Sequence, residues 1–190
     1  MTRVFSVFRE VNSPYEIPEA EAYGVALSAT RILSRRLGMV GITGLRPLEI
    51  PPDINQAELA LFHIENGGMH NVIMTRRLLP AENGQGAGRG GVAYLLTDLL
   101  TNRAAGTQTM ISVAPPNEAP HAIAIAHTAH QMTHTFGVDH CAQEACIMQP
   151  CTDVPSNRLQ SIMEAENPYC FEHDIELGRI ATAVQAEQYD

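Results

Sequence analysis

Positive charge is scarce in this 190-residue chain. Lys and Arg number 12 against 21 Asp and Glu, for a formal net charge of −9. A nucleic-acid surface needs a basic patch, so no nucleic-acid partner is expected. Long apolar runs are also missing. None approaches the roughly 20 residues of a membrane span, so no membrane partner is expected. The first residues, MTRVFSVFREVNSPYE, hold one short apolar stretch interrupted by Arg9 and Glu10, which does not read as a signal peptide. The expectation is a soluble, cytoplasmic monomer. Cysteines are few, at four. Without a secretory signal they point to metal or thiol chemistry rather than disulfides. The glycine-rich segment 80–91 lacks the Lys-Ser/Thr that would follow in a phosphate loop. It reads as irregular, and as a flap if it borders a cleft.

What is present is a histidine pattern. Residues 130–140 read His-Gln-Met-Thr-His-Thr-Phe-Gly-Val-Asp-His. Positions i and i+4 lie one turn apart on one helix face, so His130 and His134 can reach one metal ion. Gly137 suits the residue just past a helix end, where the chain turns and brings His140 back as a third ligand. Three imidazoles leave the fourth position of Zn²⁺ open, as in catalytic zinc sites. The residue after the first histidine is the general base in zinc peptidases of this spacing, and there it is glutamate. Here it is Gln131.

A second group follows at once. Cys141, Cys146, Cys170 and His173 are spaced to make a closed Cys3His structural site. Cys151 is a competing ligand, or a free thiol. Bland readings compete at other positions. His127, one turn before His130, reads as a helix-surface histidine, and His63, His70 and His121 carry no assigned role. Met132 and Phe136 pack inward. Asp139 is either a turn former or an acceptor that orients a zinc histidine.

These residues resemble the archaemetzincins, whose motif is HExxHxxGxxH, then C-x4-C-x-M, then a spacer and C-x-x-C. The resemblance covers roughly residues 120–175. It implies catalytic-zinc ligands His130, His134 and His140, structural-zinc ligands Cys141, Cys146 and Cys170, and Met148 as a turn methionine beneath the first metal. Two zinc ions per chain and a peptide or small-protein substrate are implied with them. Three departures stand out. Gln131 replaces the catalytic Glu, His173 replaces the last cysteine, and the interval 149–169 is longer than the family's. The implied function is a zinc metallopeptidase, weak or inactive as written. The alternative is a non-catalytic, zinc-stabilised peptide-binding protein. Gln131 fits an inactive natural relative, an engineered substitution, or a site whose base is Glu144 or His127.

The expected fold is α/β (α+β), a compact metzincin-like domain with a mixed twisted sheet and packed helices. One domain over 1–190 is expected, with subdomains 1–137 and 138–190. Strands are expected at Val4–Val7, Leu48–Ile50, Asn71–Met74, Val92–Leu96 and Met110–Val113. A helix opened by Pro18 runs to Leu37 and stops at Gly38. Further helices are expected at Asn55–Ile64, His121–Phe136 and from about Phe171 to Glu187. Thr97–Thr109 stays open between helix and loop, and the chain after His140 reads as loop until Phe171.

Overall fold

A computed structural model describes residues 3–38, 40–54, 58, 64, 69–77, 91–98, 103–113, 121–150 and 161–186. Its elements in chain order are β1 (Arg3–Val11), α1 (Glu19–Leu37), β2 (Val40–Ile42), β3 (Arg46–Glu49), β4 (His70–Thr75), β5 (Gly91–Asp98) and β6 (Arg103–Ser112). Two helices follow, α2 (His121–His134) and α3 (Phe171–Ala186). The sheet order is β2-β1-β4-β6-β5, with β3 also paired to β1. All pairings are parallel except β5 with β6, which are antiparallel. This is the expected mixed sheet with packed helices.

Strand alternation sorts the core into two layers. Phe5, Val7, Val72, Met74, Ile111 and Val113 face one side. That side also receives α1, α2 and the C-terminal segment, in a cluster running from Phe5 to Leu177. Phe8, Ile73 and Met110 face the other side, against Ile50 and Ile64. Helix α2 therefore sits on the larger layer.

Helix α1 buries Ala22, Val25, Ala26, Ala29, Ile32 and Leu33, the i, i+3, i+4 stripe of an amphipathic helix. Glu19 and Glu21 lie in its first turn, and Arg35 and Arg36 in its last, so its charges oppose the helix dipole. Pro18 stands at its N-cap, and Gly38 ends it at φ 72°. At the carboxyl ends of β1 and β4, the fully buried Glu10 is held by both nitrogens of the Arg77 fork at 2.6–3.0 Å and by the hydroxyls of Ser13 and Thr75. A buried carboxylate so completely satisfied is a structural clamp.

Three expectations change. The strand expected at Met110–Val113 begins at Arg103, and most of the undecided stretch Thr97–Thr109 is strand in β5 and β6. Thr107, Gln108 and Thr109 are all buried, so both faces of β6 are covered. A strand covered on both faces shows no alternation, and its polar residues hide it further. The three-residue β2 was not anticipated, and β3 starts at Arg46 rather than Leu48. The helix expected at Asn55–Ile64 lies outside the described residues except for Glu58 and Ile64, as does the glycine-rich segment apart from Gly91.

Candidate metal centres

Helix α2 is built to approach the sheet closely. Its inward positions include Ala124, Ala126, Thr128 and Ala129, all buried. Thr128 and Thr133 turn their hydroxyls back onto the carbonyls of Ala124 and Ala129, each at 2.7 Å, so neither buries an unmet donor. Thr133 also meets the Tyr169 hydroxyl at 2.9 Å, which ties the helix to the C-terminal segment.

The last turn of α2 tightens. Thr135, Phe136 and Gly137 each donate to the carbonyl three residues back, at 3.2, 2.9 and 2.9 Å. Gly137 takes φ 84°, a left-handed conformation, with nothing near a Cβ placed there. Gly137→Ala should therefore cost about 1–2 kcal/mol through backbone strain alone. Urea unfolding checks this, and a cost well above that range would point to a clash that the open space does not predict. The turn delivers buried Val138, then exposed Asp139 and His140.

The three histidines converge. His130 Nε2 lies 2.9 Å from His134 Nε2, and His140 Nε2 lies 3.2 Å from each. The opposite ring nitrogens of two of them are committed. His130 Nδ1 donates to the Ile147 carbonyl and His134 Nδ1 to the Val138 carbonyl, both at 2.7 Å. A carbonyl only accepts, so in the neutral ring each Nε2 presents a lone pair. Burial lowers the His130 pKa to about 3, and His134 and His140 push the same way against the Ile147 carbonyl. Burial is also the main cause that lowers His134. Both rings are therefore neutral at pH 7.

Two lone pairs 2.9 Å apart with no proton between them repel each other, and a cation at their focus removes that cost. The donor set fits zinc. Nitrogens about 2.0–2.1 Å from a tetrahedral zinc sit about 3.3 Å apart, close to the observed spacings. His130 is buried, His134 half-buried and His140 exposed, so the cluster reaches solvent on the His140 side. Gln131 is half-buried on α2, next to His130.

The second group also gathers. Cys141 Sγ lies 3.8 Å from Cys170 Sγ, and His173 Nδ1 lies 3.2 Å from Cys146 Sγ and 3.5 Å from Cys170 Sγ. All four ligand atoms fall within 4.8 Å of one another. A disulfide needs about 2.05 Å, so the cysteines are free thiols. Sulfurs about 2.3 Å from a tetrahedral zinc stand about 3.8 Å apart, so this set fits as well. Backbone N–H groups of Gln143, Met148 and Cys170 point at the sulfurs at 3.3–3.4 Å, and such donors favour thiolates. Burial raises Cys141 and pushes Cys146 up to about 12, so without a cation these thiols hold their protons and an arriving metal must displace them.

Other positions fall out differently. His127 is no free surface histidine: its Nε2 is buried without a hydrogen-bond partner among the described residues, and burial lowers its pKa to about 4. His70 is a packing residue, against Phe5 at 5.8 Å and the Thr107 hydroxyl at 2.9 Å. Glu144 is exposed. Met148 is fully buried in the main core. Cys151, His63 and the side chain of His121 lie outside the described residues. The acceptors that orient His130 and His134 are the carbonyls of Ile147 and Val138 rather than Asp139. Backbone acceptors carry no signature in sequence, so nothing in the residue pattern could have found them.

The sheet, with α2 and the loop behind it packed on one face, has a counterpart among solved structures. The fold is archaemetzincin-like. The archaemetzincin of Methanopyrus kandleri matches with a TM-score of 0.63 over 95% of this chain and 96% of that one, at 17% identity. A zinc-dependent peptidase of Methanocorpusculum labreanum matches with a TM-score of 0.52 over 91% and 99%, at 15% identity. No family model matches the sequence, and no curated protein does. Among the described residues no helix is long and apolar enough to cross a membrane.

Proposed function

We propose that the chain is a zinc metallopeptidase of the archaemetzincin type whose hydrolysis is feeble or absent as its sequence stands. The observation that carries this reading is the convergence of the His130, His134 and His140 Nε2 atoms to within 3.2 Å of one another. The three histidines hold the first zinc. Cys141, Cys146, Cys170 and His173 hold a second, structural one, for two per chain. Met148 is the turn methionine beneath the first site. When bound, the first zinc lowers the pKa of a coordinated water and polarises a carbonyl.

The chain's own residues do the rest. Ile147 and Val138 orient the ligand rings through their carbonyls. Gln131 can hydrogen-bond to a water with its amide, but it cannot take a proton at neutral pH. Peptides or small proteins are the proposed substrates, bound by a cytoplasmic monomer. One domain over 1–190, with parts 1–137 and 138–190, is supported by the core cluster shared between them.

Gln131 favours one second reading, a peptide-binding protein that keeps the zinc sites without turnover. Incubating the zinc-loaded chain with a peptide library separates the two. Slow, zinc-dependent cleavage is expected for the peptidase. Binding with no cleavage at any enzyme concentration favours the binding protein.

A further inference from the structure

The two ligand clusters share one piece of backbone. His140 and Cys141 are consecutive, one in each cluster. The segment from Cys146 to Met148 touches both. Cys146 Sγ meets His173 in the second cluster at 3.2 Å. The next residue, Ile147, gives its carbonyl to His130 Nδ1 in the first cluster at 2.7 Å. Met148 gives its carbonyl to the Cys141 N–H at 3.1 Å. All three residues are at most 1% exposed. The segment is pinned from the far side by Ile147 N–H on the Pro168 carbonyl at 2.8 Å and by Cys170 N–H on Cys146 Sγ at 3.4 Å. Cys146 therefore cannot shift without moving the carbonyl that fixes the His130 ring. Such an acceptor decides which imidazole nitrogen faces a metal and how the ring is aimed.

We propose that the Cys3His cluster governs the three-histidine centre through the Cys146–Met148 segment, so that a metal in the first sets the affinity of the second. This rests on reading both clusters as metal sites. With the cluster empty, the Cys146 sulfur is held by its contacts with His173 and the Cys170 N–H; metal bonds to that sulfur would fix it, and with it the Ile147 carbonyl, more firmly. By linkage, a metal on the histidines tightens the cysteine site by the same factor.

The test is a cobalt(II) titration of the metal-free full chain. Cobalt on thiolates gives charge-transfer absorption, whereas cobalt on imidazoles gives only weak d–d bands, so the two sites are read separately. The charge-transfer signal should fill first and the histidine bands after it. In His173→Ala, at cobalt concentrations that leave the thiolate signal absent, affinity at the histidines should fall about 10- to 100-fold, the usual loss when an outer partner of a ligand is removed. His173 lies on α3, outside the linking segment, so this variant removes the Cys146–His173 contact but keeps the hydrogen bonds of Ile147, Met148 and the Cys170 N–H. His173→Cys should restore the affinity. Equal histidine-site affinity in parent and His173→Ala would overturn the proposal. If circular dichroism shows His173→Ala unfolded, the parent decides the matter. Preloading with one equivalent of thiophilic cadmium(II) should tighten cobalt binding at the histidines, and no change overturns the coupling. Cobalt that never binds the histidines, under any loading, overturns both this proposal and the proposed function. Cobalt that binds them independently of the cysteines overturns the coupling alone.

Discussion

Gln131→Glu should raise peptide hydrolysis by about 10²- to 10⁴-fold, the usual contribution of general acid–base catalysis. The change is nearly isosteric and replaces one amide nitrogen by an oxygen. The half-buried side chain keeps its place on α2, between two histidines whose rings are fixed from behind by backbone carbonyls. Zinc affinity and KM should therefore change little, and the gain should fall in kcat. A carboxylate can take a proton from water and return it to a leaving amine, whereas the amide can only hydrogen-bond. The measurement is kcat/KM on one peptide at matched zinc content. A Gln131→Glu protein as inert as its parent would show that a missing base is not what limits this site. Glu144, named above as a substitute base, is exposed. Glu144→Gln should leave any residual turnover of the parent unchanged.

Cys146→Ser should be the most destabilising single substitution among the proposed ligands of the second centre. Cys146 is 1% exposed and belongs to the main core cluster. Its sulfur meets His173 and accepts N–H groups from Met148 and Cys170. Serine keeps the volume roughly but is a poor zinc ligand, because soft thiolates bind this metal best. Apparent binding energies of structural zinc run to about 10–16 kcal/mol in small zinc peptides, comparable with the whole stability of a domain. Even a modest share of that should cost more than about 3 kcal/mol here. The described residues 138–150 form turns and loop, with no helix or strand to hold them. Proteolysis should therefore cut first between α2 and α3, while the sheet and α1 persist. Urea unfolding followed by circular dichroism gives the magnitude. A Cys146→Ser protein as stable as its parent in excess zinc would remove the structural role.

The parts of this molecule legible in sequence were those governed by strict geometry. The spacing of His130 and His134 is one helical turn, and Gly137 at φ 84° is the turn that returns His140. The three Nε2 atoms meet as that spacing requires. Helix α1 was equally clear, because its apolar stripe, its Pro18 start and its Gly38 stop all agree. Strand β6 was not. Its last residues from Met110 read as strand, but the buried Thr107, Gln108 and Thr109 before them are polar, so that stretch stays open between helix and loop in sequence while the sheet buries both of its sides. His127 was misjudged for a related reason: a histidine on an alanine-rich helix reads as surface until the packing of that helix is known. The structure leaves the residue half-buried with its Nε2 covered. The carbonyls of Ile147 and Val138 were beyond reach because every residue carries one, and only the fold selects which of them faces a ligand ring.

The proposed function requires two metal centres beside a helix that carries an amide, Gln131, where a proton acceptor would stand. The zinc-to-protein ratio after dialysis from excess zinc, in the parent and in His134→Ala, tests it most directly. The ligand sets call for about two zinc ions per parent chain, and about one in His134→Ala, where only the cysteine centre remains. A parent that retains about one, or a His134→Ala variant that retains as much as its parent, would contradict the account.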